Sequence, residues 1–166
     1  MSTAPDTDPY LHLPLHGVCL IEASAGTGKT FTLATLFTRL VVERGLRVGQ
    51  ILVVTFTEAA TQELRGRLRE RLTLAADIVL DDCAAAAPSL RDSPLPHDTP
   101  DALLTRAILT THLAGGTETP AALRRRLQQA AEEIDLAAVF TIHGFCARVL
   151  REHALESGQA FAAPEL

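Results

Sequence analysis

The residues best suited to chemistry lie in one stretch, Ala23-Ser24-Ala25-Gly26-Thr27-Gly28-Lys29-Thr30. Glycines let a backbone curl so that successive N–H groups face one anion, and a helix beginning there adds partial positive charge. A lysine next to them supplies a point charge for the β- and γ-phosphates of a nucleotide, and a hydroxyl one position on can ligate Mg²⁺. Ala23 to Thr30 are therefore candidate phosphate-loop residues, with Lys29 and Thr30 as the catalytic pair and Thr30 also the Mg²⁺-side hydroxyl. The pattern G-x-x-x-x-G-K-[ST] asks for glycine where Ala23 stands. A nucleophile elbow, G-x-S-x-G, overlaps the same residues around Ser24, but Glu22 occupies its first glycine position and it leaves Lys29 without a role. Lys29 is the only lysine among fifteen basic residues, so a chain built otherwise on arginine keeps an ammonium where a phosphate loop needs one. The plain alternative is a strand–helix turn that binds nothing.

The flanking sequence supplies elements that can hold such a loop. Val18 to Glu22 reads as a first strand, and Gly28 to about Arg44 as a helix stopped by Gly45. Ile51-Leu52-Val53-Val54-Thr55 is an uninterrupted apolar run, predicting a strand buried on both faces of a parallel sheet. Leu64, Leu68, Leu72 and Val79 then predict a helix from the turn at Thr55–Glu58 to about Leu80. Its Arg65, Arg67, Arg69 and Arg71 alternate, so they spread around a helix as a solvated face or a basic patch. Ile78-Val79-Leu80-Asp81-Asp82 continues the helical spacing without a turn before it, which reads as a helix end and not as a metal-binding strand. Residues from about 83 to 100 are rich in Pro and Ala and read as a surface excursion. Thr99-Pro100 and Thr119-Pro120 are cap-plus-proline signals opening helices at about Asp101–Leu113 and Ala121–Glu133. Ala138-Val139-Phe140-Thr141-Ile142 predicts a third strand. A last helix from His143 to about Glu156 follows it.

Composition bounds what these elements can do. Hydrophobic residues make up 47% and charged residues 21% of 166, enough apolar matter for one core. The net charge of −5 argues against a generally nucleic-acid-coating surface, so any such contact must be local. No apolar run reaches membrane-spanning length, and no basic leader precedes one, so a cytoplasmic protein without membrane contact is expected. Cys19, Cys83 and Cys146 are distant from one another and fit a reducing compartment.

Strand–helix alternation predicts an α/β fold with a parallel sheet flanked by helices, and ligands at the carboxyl ends of its strands. Three such ends are then in play: the phosphate loop, Thr55-Phe56-Thr57, and Thr141-Ile142-His143-Gly144-Phe145. The second and third pair hydroxyls with an aromatic ring, a combination suited to a single nucleic-acid strand, whose phosphates accept hydrogen bonds and whose bases stack. His143 with Cys146 has the spacing of a metal half-site but no second pair.

On Leu20–Thr32, Ile51–Arg67, Val139–Cys146 and Leu155–Gly158, the chain resembles superfamily 1 DNA helicases of the UvrD type. Ala at position 23 is usual in that superfamily. The resemblance implies a P-loop NTPase (RecA-like) fold with ATP and Mg²⁺ at Ala23, Ser24, Ala25, Gly26, Thr27, Gly28, Lys29 and Thr30. It implies DNA contacts from Thr55, Phe56, Thr57, Thr141, His143 and Phe145. The full-length parent would be an ATP-dependent 3′-to-5′ helicase and exonuclease on single- and double-stranded DNA, with two partner subunits, serving double-strand break repair and recombination. Two departures stand out. No glutamine precedes Gln50, although these helicases use one ahead of the loop to read adenine, and the later Asp-Glu strand, arginine and second motor domain are not in the sequence. The expected organisation is a lead-in over residues 1–16 and an incomplete first motor domain over 17–166, inactive alone. A small nucleotide kinase and a non-catalytic nucleotide-binding module are the competing readings.

Overall fold

A computed structural model of the chain describes residues 9–22, 28–84 and 99–154. In order, its regular elements are α1 (Lys29–Glu43), β1 (Leu52–Thr55), α2 (Glu58–Ala84), α3 (Pro100–Ala114), α4 (Pro120–Glu132), β2 (Ala138–Thr141) and α5 (Ile142–Glu152). Short 3-10 turns at Pro9–Leu11, Val48–Gln50 and Glu133–Leu136 join them. The two strands are parallel, in the register Leu52↔Ala138 through Thr55↔Thr141. This is an α/β arrangement in which helices dominate.

The core lies between the helices. Leu64, Leu68, Leu72, Ala75 and Val79 form one stripe of α2, spaced by three and four, and are buried with Leu123 and Leu127 of α4 and Phe37 and Val41 of α1. Leu104, Ile108 and Leu109 bring α3 into the same cluster. Ile78 and Val79 lie inside α2 and are buried, so the Ile78–Asp82 run is helix as its spacing predicts. Thr99 and Thr119 accept from the N–H groups of Ala102 and Ala122, and a proline stands in the first turn of α3 and α4, as the sequence signals require. Gly45, at φ 63°, follows the last residues of α1. Residues 85–98, most of the expected excursion, lie outside the described residues; the last helix, expected to reach about Glu156, ends at Glu152 with His153 as its C-cap and His153–Ala154 in a turn.

Three expectations are corrected. Val18–Glu22 is not a strand; its backbone pairs with neither β1 nor β2, and Val18 and Leu20 are 104% and 83% exposed. Apolar composition gives strand propensity, but a strand forms only against a neighbour, and none among the described residues receives this one. Second, β1 is covered on one face only. Val53 and Thr55 turn inward with Val139 and Thr141, while Leu52 and Val54 are exposed. Third, the four alternating arginines of α2 do not share one fate. Arg67 is solvated, Arg65 is half-buried and donates to the Val139 carbonyl at 2.8 Å, and Arg71 sits within the buried stripe at 4% exposure.

Candidate nucleotide and nucleic-acid site

Gly28 is the residue before α1 and has φ 83° and ψ 27°, a left-handed conformation that other residues adopt only under strain. That geometry turns the chain from the phosphate-loop sequence into the helix. Gly28 itself has no side chain to cap the helix start, whereas α3, α4 and α5 are capped by Thr99, Thr119 and Thr141, and α2 by Thr57. No acidic residue stands in the first turn of α1. Lys29 is exposed in that turn, and Thr30 beside it is half-buried. The positive end of a helix dipole, first-turn backbone donors and an ammonium are thus gathered at one point, an arrangement that attracts an anion. Ala23, Ser24, Ala25, Gly26 and Thr27 lie outside the described residues.

The next residue, Phe31, is braced from two sides. The Arg71 guanidinium lies over its ring at 4.9 Å from the centroid, and the Tyr10 ring meets it edge-on at 6.5 Å. Tyr10 is held in turn: its carbonyl and that of Leu13 accept from the Arg39 guanidinium at 2.7 and 2.8 Å, so the lead-in is strapped to α1. A cavity of about 300 Å³ opens beside this turn, lined by Gly28, Thr30, Phe31, Arg67, Arg71 and Asp101 among others. Burial pulls the pKa of Arg71 down, and the neighbouring Asp101 carboxylate works against that shift.

At the ends of the two strands, Thr55 and Thr141 stand opposite each other. Thr55 shares a 2.6 Å hydroxyl–hydroxyl hydrogen bond with Thr61, Thr57 Oγ1 accepts from the Ala60 N–H at 3.1 Å, and Thr141 Oγ1 accepts from the Gly144 N–H at 3.1 Å. A Cβ at position 144 would come within 3.1 Å of Thr141 Oγ1, so this cap favours glycine there. Each predicted hydroxyl therefore has a local partner, and two of them cap helices. Phe56 is 86% exposed, His143 and Cys146 are exposed, and Phe145 is half-buried. Among the described residues no group of three or more His, Cys, Asp or Glu is placed to hold a metal. The sequence reading missed Arg71, Arg39 and Tyr10. Leucine-like spacing in α2 was the one available signal for Arg71, since position 71 falls three after Leu68.

Comparison with known proteins gives a consistent result. The sequence pattern of the UvrD/REP helicase N-terminal domain matches residues 7–164. The RecBCD enzyme subunit RecB of Escherichia coli (strain K12) is 43% identical over 169 residues, covering 97% of this chain and 12% of the relative. RecB of Haemophilus influenzae is 41% identical, covering 90% of this chain and 12% of the relative. RecB of Mycolicibacterium smegmatis is 39% identical, covering 80% and 10%. The chain thus spans only a small part of the length of the curated relatives it matches.

Proposed function

The chain belongs to the UvrD/REP helicase N-terminal domain family, and from that membership we propose that it is the N-terminal ATP-binding portion of a RecB-type subunit. The parent enzyme, on this reading, is an ATP-dependent 3′-to-5′ DNA helicase and exonuclease that works in the cytoplasm with RecC- and RecD-like subunits on broken DNA ends, in repair and recombination. The observation that carries the nucleotide half is the start of α1. Among the described residues its N-cap, Gly28, has no side chain to cap the helix, unlike the threonines that start the other described helices, and Lys29 stands in its first turn.

In this proposal the N–H groups of the loop and of the first turn of α1 hold the phosphate oxygens, and Lys29 offsets charge on the β- and γ-phosphates. The Thr30 hydroxyl is the group of this chain suited to hold Mg²⁺, which would neutralise charge developing on the transferred phosphoryl. Ala23 to Thr27 complete the cradle. The strand ends supply the DNA half: Phe56 offers an exposed face for a base, His143 a donor for phosphate, and Thr55, Thr57, Thr141 and Phe145 shape the turns that present them. Hydrolysis itself needs a water-positioning carboxylate and an arginine at the γ-phosphate, so residues 1–166 alone hold nucleotide without turning it over.

The test is equilibrium binding of MgATP to residues 1–166 and to Lys29→Ala. The substitution removes the ammonium and is expected to weaken binding by tenfold or more, on the order of 1.4 kcal/mol, measured at a temperature where both proteins are folded. Equal affinity in the two proteins would remove the phosphate-loop assignment.

A further inference from the structure

Arg71 is a charged residue occupying a core position, and neither the phosphate loop nor the strand ends use it. Its guanidinium is engaged by local partners. One plane covers the Phe31 ring. Its N–H groups donate to the Asp101 carbonyl at 2.8 Å, to Thr105 Oγ1 at 2.9 Å and to Thr35 Oγ1 at 3.4 Å, and the Asp101 carboxylate pairs with it. Burying a guanidinium is costly unless its donors and charge are matched, and here they are matched by two different helices. Thr35 and Phe31 belong to α1; Asp101 and Thr105 belong to α3.

We propose that Arg71 is a positioning residue for the nucleotide site, fixing through Phe31 the turn of α1 that bears Lys29 and Thr30 and tying that turn to α3. The inference rests on the nucleotide reading above. Three observations carry it. Phe31 directly follows Thr30, so the ring and the phosphate-binding hydroxyl share one helical turn. The cavity of about 300 Å³ lies against that turn, so on the cavity side the stacked guanidinium braces a ring whose other contacts are the hydrophobic core and Tyr10. The Tyr10 edge closes the other approach, with Tyr10 itself strapped down by Arg39. A lysine cannot substitute: it lacks both the plane that covers the ring and the fork that reaches α1 and α3 together.

The test uses the full 166-residue chain, with MgATP affinity measured by calorimetry at a temperature where circular dichroism shows each variant folded. Arg71→Lys and Phe31→Leu are expected to weaken MgATP binding by about three- to tenfold, the range of a lost cation–ring contact. The control is Arg126→Met, which removes a guanidinium that donates to the Val41 and Val42 carbonyls near the opposite end of α1. It should lower the melting temperature and leave MgATP affinity at the wild-type value. Wild-type affinity in Arg71→Lys overturns the proposal. So does an affinity loss in Arg126→Met that tracks its loss of stability, because Arg71 would then be one structural contact among several. Should Arg71→Lys fail to fold, Phe31→Leu decides: its hydrocarbon still fills space beside an intact Arg71, and wild-type affinity there overturns the proposal equally. Failure of the wild-type chain to bind MgATP at all is a different result, and it removes the nucleotide reading before the role of Arg71 is reached.

Discussion

Thr55 and Thr141 face each other at the last register position of the parallel pair, and each strand hands over to a helix within a few residues of that point. The two hydroxyls face inward and are spoken for: Thr55 bonds Thr61, and Thr141 caps α5. What this edge leaves exposed is different in kind, the Phe56 ring and the His143 imidazole. The structure thus separates groups that shape the edge from groups that can reach a ligand.

That separation makes the DNA half of the proposal testable without confusing binding with folding. Thr57→Ala and Thr141→Ala should each cost about 1 kcal/mol of stability through loss of a helix cap, and Thr57→Ser should restore most of it. Phe56→Ala and His143→Ala, at exposed positions, should leave stability within about 0.5 kcal/mol. In a longer RecB-type polypeptide, Phe56→Ala should weaken single-stranded DNA binding by about 1–3 kcal/mol, the range for one stacked base. Measured affinities unchanged in both Phe56→Ala and His143→Ala would count against a DNA contact at this edge.

Gly28 allows a sharper check on the loop-to-helix turn. Its φ of 83° penalises any side chain, while among the described residues a Cβ there would meet Phe31 Cβ at an ordinary 3.7 Å. Gly28→Ala is therefore expected to destabilise by about 1–2 kcal/mol through backbone strain. Denaturant unfolding measures this directly. A neutral substitution would mean that the turn relaxes to negative φ, and MgATP affinity should then fall because the start of α1 no longer holds Lys29 and Thr30 as before.

The helical layer is legible in the sequence because its signals are local. Thr99-Pro100 and Thr119-Pro120 announce helix starts through a hydroxyl cap and a preset φ, and Leu64, Leu68 and Leu72 mark a buried stripe by spacing. The run at Val18–Ile21 misleads for the opposite reason. Its composition states a preference for extended backbone, but pairing depends on a neighbour distant in sequence, and among the described residues β1 and β2 pair only with each other. Arg71 shows a second limit. Alternating arginines look like a solvated face, and only the three-dimensional meeting of Phe31, Thr35, Asp101 and Thr105 makes one of them a core residue. The phosphate-loop proposal for Ala23–Thr30 rests on composition and order, since of these residues the structure describes Gly28, Lys29 and Thr30.

The linker between α3 and α4 carries a pH-dependent contribution to stability. Glu118 accepts from the Arg126 guanidinium through both carboxylate oxygens and lies 3.1 Å from His112 Nε2, while Arg126 also donates to the Val41 and Val42 carbonyls of α1. The Arg126 hydrogen bond holds the Glu118 carboxyl below the usual range; burial opposes it and His112 adds to it. A folded-state pKa below the unfolded one stabilises the native state above the unfolded pKa, about 4.3 for glutamate, and that contribution disappears as pH falls through the lower folded value. Glu118→Gln cannot titrate. Wild type should therefore exceed Glu118→Gln in melting temperature by a constant margin above about pH 6, and the margin should shrink as pH falls below about 4.3. Thermal unfolding of both proteins from about pH 7 down to about pH 3 measures it, and a margin that stays constant to the acid end would show that Glu118 does not act through its charge.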